Sequence, residues 1–125
     1  MTGKESLPGL LTAAVIVLAL YPGHARAQDG AQLFKINCAV CHSAEAGQNK
    51  VGPSLFGVVG RKAGTSADYT YSDAMKNSGI AWTSDQLDKY LANPKSVVPN
   101  TKMIFLGLKN PDDRKAIVDY LASLK

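Results

Sequence analysis

Outside one short stretch the chain has no cysteine at all. Both thiols, Cys38 and Cys41, fall in Cys38-Ala39-Val40-Cys41, and His42 follows directly. The only other histidine is His24. This scarcity excludes a structural zinc site built from Cys and His, which takes four such ligands and finds three here once His24 is set aside. Long apolar runs are equally scarce. The one candidate, Leu10 to Leu20, falls short of the roughly 20 residues a helix needs to cross a bilayer comfortably. Basic residues are scattered rather than clustered: 14 Lys+Arg stand against 10 Asp+Glu, a net charge of +4 at pH 7. No basic patch points to nucleic acid. Strand-like alternation and internal repeats are also missing.

What is present begins at the N-terminus. Lys4 precedes the apolar run, Pro22-Gly23 breaks it, and Ala25-Arg26-Ala27 has the small-x-small form of a cleavage site. We read residues 1–27 as a cleaved secretory signal, and residues 28–125 as one exported domain. An uncleaved anchor helix over residues 7–21 is the alternative. Losing residues 1–27 removes Lys4, Arg26 and Glu5 and leaves the domain mildly basic. A domain of this size buries proportionally little surface and often needs a staple or a cofactor core.

Within that domain the pattern predicts helices separated by long loops. Residues 29–41 read as a helix with Asp29 as its cap and Leu33 and Phe34 on its apolar face. Residues 43–72 carry five glycines, Pro53 and no periodic stripe, and they read as loop. A loop that long in a small domain is unusual unless it is functional or wraps something. Ser72 to Lys76 reads as a short polar helix. Thr83-Ser84-Asp85-Gln86 opens another with a capping box, its apolar face is Leu87, Tyr90 and Leu91, and Pro94 ends it. Residues 95–109 read as a second irregular stretch. Asn110-Pro111-Asp112-Asp113 is a strong helix start, followed by the stripe Ile117, Tyr120, Leu121 and Leu124. The result is an all-α domain with too little aliphatic side chain to fill its own core. A flat apolar body in the middle would reconcile those facts.

Three chemistries compete for Cys38-Ala39-Val40-Cys41-His42. A redox dithiol opens a helix after a strand, and no βαβ pattern surrounds this one. A structural disulfide or half a zinc site finds no further partners. Covalent haem attachment uses this signature: both sulfurs lie on one side of a turn to bond the vinyl groups, and the next imidazole faces the iron. An exported chain free of other cysteine favours the third reading, with one haem c held through Cys38 and Cys41 and ligated by His42. The other axial position then decides between an open iron, suited to gas or peroxide chemistry, and a closed one, suited to electron transfer. With no second histidine in the domain, the candidates are Met75 and Met103. Any methionine is ordinarily core filler. Met103, on irregular backbone after Pro99, is the better placed of the two.

The ordered landmarks resemble the small soluble class I cytochromes c, close in pattern to the mitochondrial protein and its periplasmic bacterial relatives. They run from Gly30 and Phe34 through the Cys38–His42 motif, Val51-Gly52-Pro53, Gly60-Arg61-Lys62 and Tyr69 to Ala74. They continue with Gly79 to Trp82, Tyr90 to Lys95, Pro99 to Phe105 and Tyr120-Leu121. The resemblance implies that fold, with helices and long loops wrapped around one haem. It implies His42 and Met103 as axial ligands, and the Pro53 carbonyl as acceptor of the other His42 N–H. Tyr71 and Trp82 would hydrogen-bond a propionate, Arg61 would supply positive charge nearby, and Tyr90 and Thr101 would line the Met103 side. Gly30 and Phe34 would meet Tyr120 where the terminal helices cross.

Two departures stand out: Met75 occupies a position usually held by Asn, and Asn100 one usually held by Gly. Of the family's lysines around the haem edge, Lys50, Lys95, Lys102 and Lys109 match. The implied function is a monomeric periplasmic one-electron carrier, not an enzyme. It would dock on acidic surfaces of membrane redox complexes or periplasmic oxidoreductases. The rivals are a five-coordinate haem enzyme or sensor and a membrane-tethered subunit.

Overall fold

The computed structural model describes residues 1–3, 5, 9 and 29–125. The apolar run from Leu10 to Leu20 and the cleavage pattern at Ala25-Arg26-Ala27 lie outside the described residues. The described elements are five helices: α1 (Gly30–Asn37), α2 (Asp73–Lys76), α3 (Ser84–Ala92), α4 (Pro94–Val97) and α5 (Pro111–Ser123). Among the described residues the only extended pairing is an isolated antiparallel bridge between Lys62 and Ala81.

Each helix starts on a side chain that satisfies an orphan N–H of its first turn. Asp29 accepts from Ala31, Ser72 from Met75, Thr83 from Gln86, Asn93 from Ser96 and Asn110 from Asp112. Two boundaries differ from the sequence expectation. The first helix stops at Asn37, because Cys38 leaves helical geometry at φ −121° and residues 38–41 turn instead. Pro94 does end α3, but it also opens α4, where a proline at the first position loses no hydrogen bond. At the C-terminus Val118 is buried with Ile117 and Leu121, while Tyr120 is only half-buried.

The terminal helices carry the architecture. α1 crosses α5, α3 packs on α5, and α4 leans on α3. The crossing of α1 and α5 is closed by Gly30: a Cβ there would lie 2.1 Å from the Ala116 carbonyl oxygen and 2.9 Å from Tyr120 Cβ. One turn on, Phe34 meets Tyr120 with ring centroids 5.4 Å apart. The long loops complete the domain. Residues 43–72 run without a helix, and a strap from Thr101 to Leu108 returns to α3, where the Leu108 N–H donates to the Leu91 carbonyl at 2.9 Å. Asn100 before the strap sits at φ 64°, a left-handed position that Asn tolerates better than most residues.

Candidate haem site

A cavity of about 470 Å³ opens between the loops and the three longer helices. All ten residues assigned to a haem by sequence line it: Cys38, Cys41, His42, Pro53, Arg61, Tyr71, Trp82, Tyr90, Thr101 and Met103. Leu87, Leu91, Ile117 and Leu121 line it as well, so the apolar stripes of α3 and α5 form its wall.

The motif turn is built locally. Cys41 N–H donates to the Cys38 carbonyl at 3.0 Å and His42 N–H to the same carbonyl at 2.9 Å. Burial, reinforced by neighbouring Cys41, pushes the Cys38 thiol up to about 11. A redox dithiol depends on a depressed thiol pKa, so this environment opposes that chemistry. His42 is 9% exposed. Its burial lowers its pKa below the ordinary imidazole value, against the opposing effect of the bond to Pro53, and so favours the neutral ring. Nδ1 lies 2.7 Å from the Pro53 carbonyl oxygen. A carbonyl only accepts, so the proton sits on Nδ1 and the Nε2 lone pair is left for a metal. Gly52 makes this ring position possible: a Cβ there would fall 2.3 Å from His42 Cε1.

On the strap side, the Tyr90 hydroxyl and Thr101 Oγ1 are 2.9 Å apart, and Met103 N–H donates to the same Thr101 oxygen at 3.3 Å. Trp82 stacks obliquely on Tyr90, centroids 4.9 Å apart. Tyr71 accepts from the Ser66 N–H at 3.2 Å, which leaves its own O–H proton free to donate. Arg61 spends two guanidinium donors on the carbonyls of Phe56 and Ser54, each at 3.1 Å. Its charge is therefore held at the cavity wall by backbone. Met75 lines the cavity too, so both methionines reach it.

Some supporting residues were not legible as such. Asn49 cross-links the long loop, donating to the Ala67 and Asp68 carbonyls at 3.1 Å and accepting from the Ser54 N–H at 2.9 Å. Tyr69 donates to the Val51 carbonyl at 2.9 Å, and the Lys102 ammonium lies 4.5 Å above its ring centroid. No spacing rule joins loop residues 18 or 19 positions apart, so these pairings left no signal.

The cavity fits a haem on its donor set. Two thiols and a nitrogen lone pair stand on one turn, a thioether stands on the strap, and the remaining lining is largely apolar. Among the described residues no cluster of three His, Cys, Asp or Glu groups offers an alternative metal site.

The cytochrome c family model matches residues 27–125. The cytochrome c2 iso-2 of Magnetospirillum molischianum is 58% identical over 88 residues, covering 70% of this chain and 91% of the relative. Cytochrome c of Arabidopsis thaliana is 52% identical over 96 residues, 76% of this chain and 86% of the relative. The solved structure of cytochrome cH from Methylobacterium extorquens superposes with a TM-score of 0.70 at 43% identity, covering 75% of this chain and 94% of that one.

Proposed function

The chain belongs to the class I cytochrome c family, and from that membership we propose that it is a soluble periplasmic one-electron carrier ligated by His42 and Met103. Members of the family are electron-transfer proteins rather than enzymes, and they hold haem c covalently through a cysteine pair, here Cys38 and Cys41. Haem attached there supplies a one-electron iron couple, whose potential a Met/His ligand set raises.

The observation that carries the ligation is the shared Thr101 oxygen. It joins Tyr90 of α3 to the backbone of Met103 and so ties the strap to the cavity wall, which supports Met103 as a ligand. The Pro53 carbonyl orients the neutral His42 ring, which supports His42 as the other. Tyr71 and Trp82 would donate to a propionate, and Arg61 would balance its charge from a position the Ser54 and Phe56 carbonyls hold fixed. With a haem in place, a cavity so lined would hold both ligands across a change of oxidation state.

The deciding experiment is the absorption spectrum of the exported protein, oxidised and reduced. A low-spin covalent haem with a weak far-red sulfur-to-iron band supports the reading. A high-spin spectrum, or ready binding of carbon monoxide by the native reduced protein, supports a five-coordinate haem enzyme or sensor instead. Export is tested by the N-terminal mass: a start at Gln28 supports a cleaved signal and a periplasmic domain, and an intact Met1 supports an anchor.

Thr101→Val removes the oxygen that Tyr90 and Met103 share. It should cost about 1–2 kcal/mol, as expected for a part-buried hydroxyl whose partners are left unmet. It should also speed carbon monoxide binding to the reduced protein, because the strap loses its tie. Equal rates in both proteins would show that the strap is held by packing alone.

Partners are expected to be redox proteins with acidic docking surfaces. Lys50, Lys95, Lys102 and Lys109 are all exposed, and no Asp or Glu lines the cavity. With few lysines, steering should sit near the low end of its range, with association slowing about 10-fold from low to high salt. Stopped-flow rates with an acidic partner that stay flat across ionic strength would remove the lysines from docking.

A further inference from the structure

The strap that carries Met103 is fastened near its two ends and not between them. At the near end Thr101 N–H donates to the Val98 carbonyl at 3.0 Å, and the Thr101 hydroxyl pairs with Tyr90 at 2.9 Å. Lys102 donates to the Thr70 carbonyl. At the far end Leu108 N–H donates to the Leu91 carbonyl, one residue on from Tyr90 in α3. Ile104 to Gly107 take part in none of the backbone bonds found among the described residues. Gly107 has φ +97°, and a Cβ there would stand 2.1 Å from the Ala92 carbonyl oxygen, so the strap meets the end of α3 closely. Both ends of the strap are therefore tied to α3.

One side chain from outside the cavity completes the far anchor. Arg114 of α5 donates from Nη1 to the Leu108 carbonyl at 2.9 Å and to the Lys109 carbonyl at 3.1 Å. Its Nε donates to Asp88 Oδ1 of α3 at 2.8 Å. Neither Arg114 nor Asp88 lines the cavity. Among the described residues the two carbonyls accept no backbone N–H, so Arg114 supplies what the entry to α5 does not. A guanidinium is a rigid planar fork, so fixing Nε on Asp88 fixes the direction in which Nη1 points. The Arg114 side chain is 14% exposed and that of Asp88 44%. A carboxylate so wet makes a modest ion pair. The holding therefore falls to the two carbonyl bonds from a mostly buried cation, and the part of Asp88 is to aim them.

We propose that Arg114 is a positioning residue for the sixth ligand and that Asp88 aims it: together they hold the far end of the strap, and so set how often Met103 leaves the iron. With Leu108 and Lys109 released, the untied span from Ile104 to Gly107 gains freedom, and Met103 at its near edge gains it too. This rests on the reading of Met103 as a ligand above.

The probe is free imidazole added in excess to the ferric protein with its haem attached. At saturating imidazole the far-red band disappears at the rate at which Met103 leaves, read by stopped flow. Arg114→Gln should raise that rate about tenfold, as fits the loss of charge-assisted hydrogen bonds. Asp88→Asn should raise it about threefold. It should add nothing further in the Arg114→Gln background, because it acts only through Arg114. Val118→Ala controls for stability as such, since Val118 is buried on the same helix and does not line the cavity. It should lower Tm and leave the rate within about twofold.

An unchanged rate in Arg114→Gln overturns the proposal. So does an equal rise in Val118→Ala, which makes the effect one of general stability, and so does a double variant in which the two single effects multiply. If Arg114→Gln yields no mature protein, Asp88→Asn at its half-exposed position decides alone, and an unchanged rate there overturns the proposal. A native protein without the far-red band overturns the ligation reading itself, and this is seen before any imidazole is added.

Discussion

Met103→Ala is expected to abolish the far-red band of the oxidised protein, to open the reduced iron to carbon monoxide, and to lower the potential by an amount on the order of 0.2 V. That fall lies well inside the roughly 0.8 V range that axial ligands span. Its sign follows from softness: a thioether favours the ferrous state relative to water or an amine, so its loss favours the ferric one. Met75→Ala is the matched control, because Met75 lines the same cavity. It should keep the band and lose about 1 kcal/mol of stability, less than the 2–5 kcal/mol of a fully buried methionine. The reverse pattern, with the band lost in Met75→Ala and kept in Met103→Ala, would exchange the two roles. It would also mean that the strap does not close over the iron.

Gly52→Ala is expected to damage the other face of the site. The added methyl would stand 2.3 Å from His42 Cε1, 2.7 Å from Nδ1 and 2.8 Å from Nε2. The ring is buried and tied to Pro53. The backbone around Gly52 is also held, donating to Cys41 and accepting from Lys50. Neither side yields cheaply. Overpacking of this kind costs about 3 kcal/mol, which for a domain of this size is a fall in Tm of roughly 12–24 °C. Displacement of the imidazole should also move the ferric spectrum towards high spin. Gly47→Ala separates crowding from the mere presence of a methyl. Gly47 has φ +71°, and a methyl added there would meet no atom within 4 Å, so its substitution costs only backbone strain of about 1 kcal/mol. Comparable Tm losses in the two variants, by circular dichroism, would show that crowding against His42 is not what Gly52 avoids.

The helices were legible because their signals are local. Asp29, Thr83 and Asn110 each cap the helix that their position in the sequence announces. The end of α1 was less legible, since Cys38 and the residues after it have nothing in their propensities that forbids another turn. The motif, its histidine and the glycine-rich loops were enough, with the resemblance, to assemble a ten-residue set that the fold brings to one cavity.

By itself, then, the sequence determined the chemistry: two thiols and an imidazole on one turn, a thioether on irregular backbone, and a helical chain short of core. Those properties reside in residue types and in spacings of a few positions, over which the backbone leaves little freedom. Only the tertiary structure decided the contacts that make the chemistry specific. Asn49 reaches Ala67 and Asp68, Tyr69 joins Val51 to Lys102, Thr101 joins Tyr90 to Met103, and Gly52 clears the space His42 occupies. It also turned Ile104 and Leu106 of the strap outward. Such contacts depend on how two loops without periodicity close on each other. A loop's path is set by which distant backbone groups it can satisfy, and that is known only when every other segment is in place.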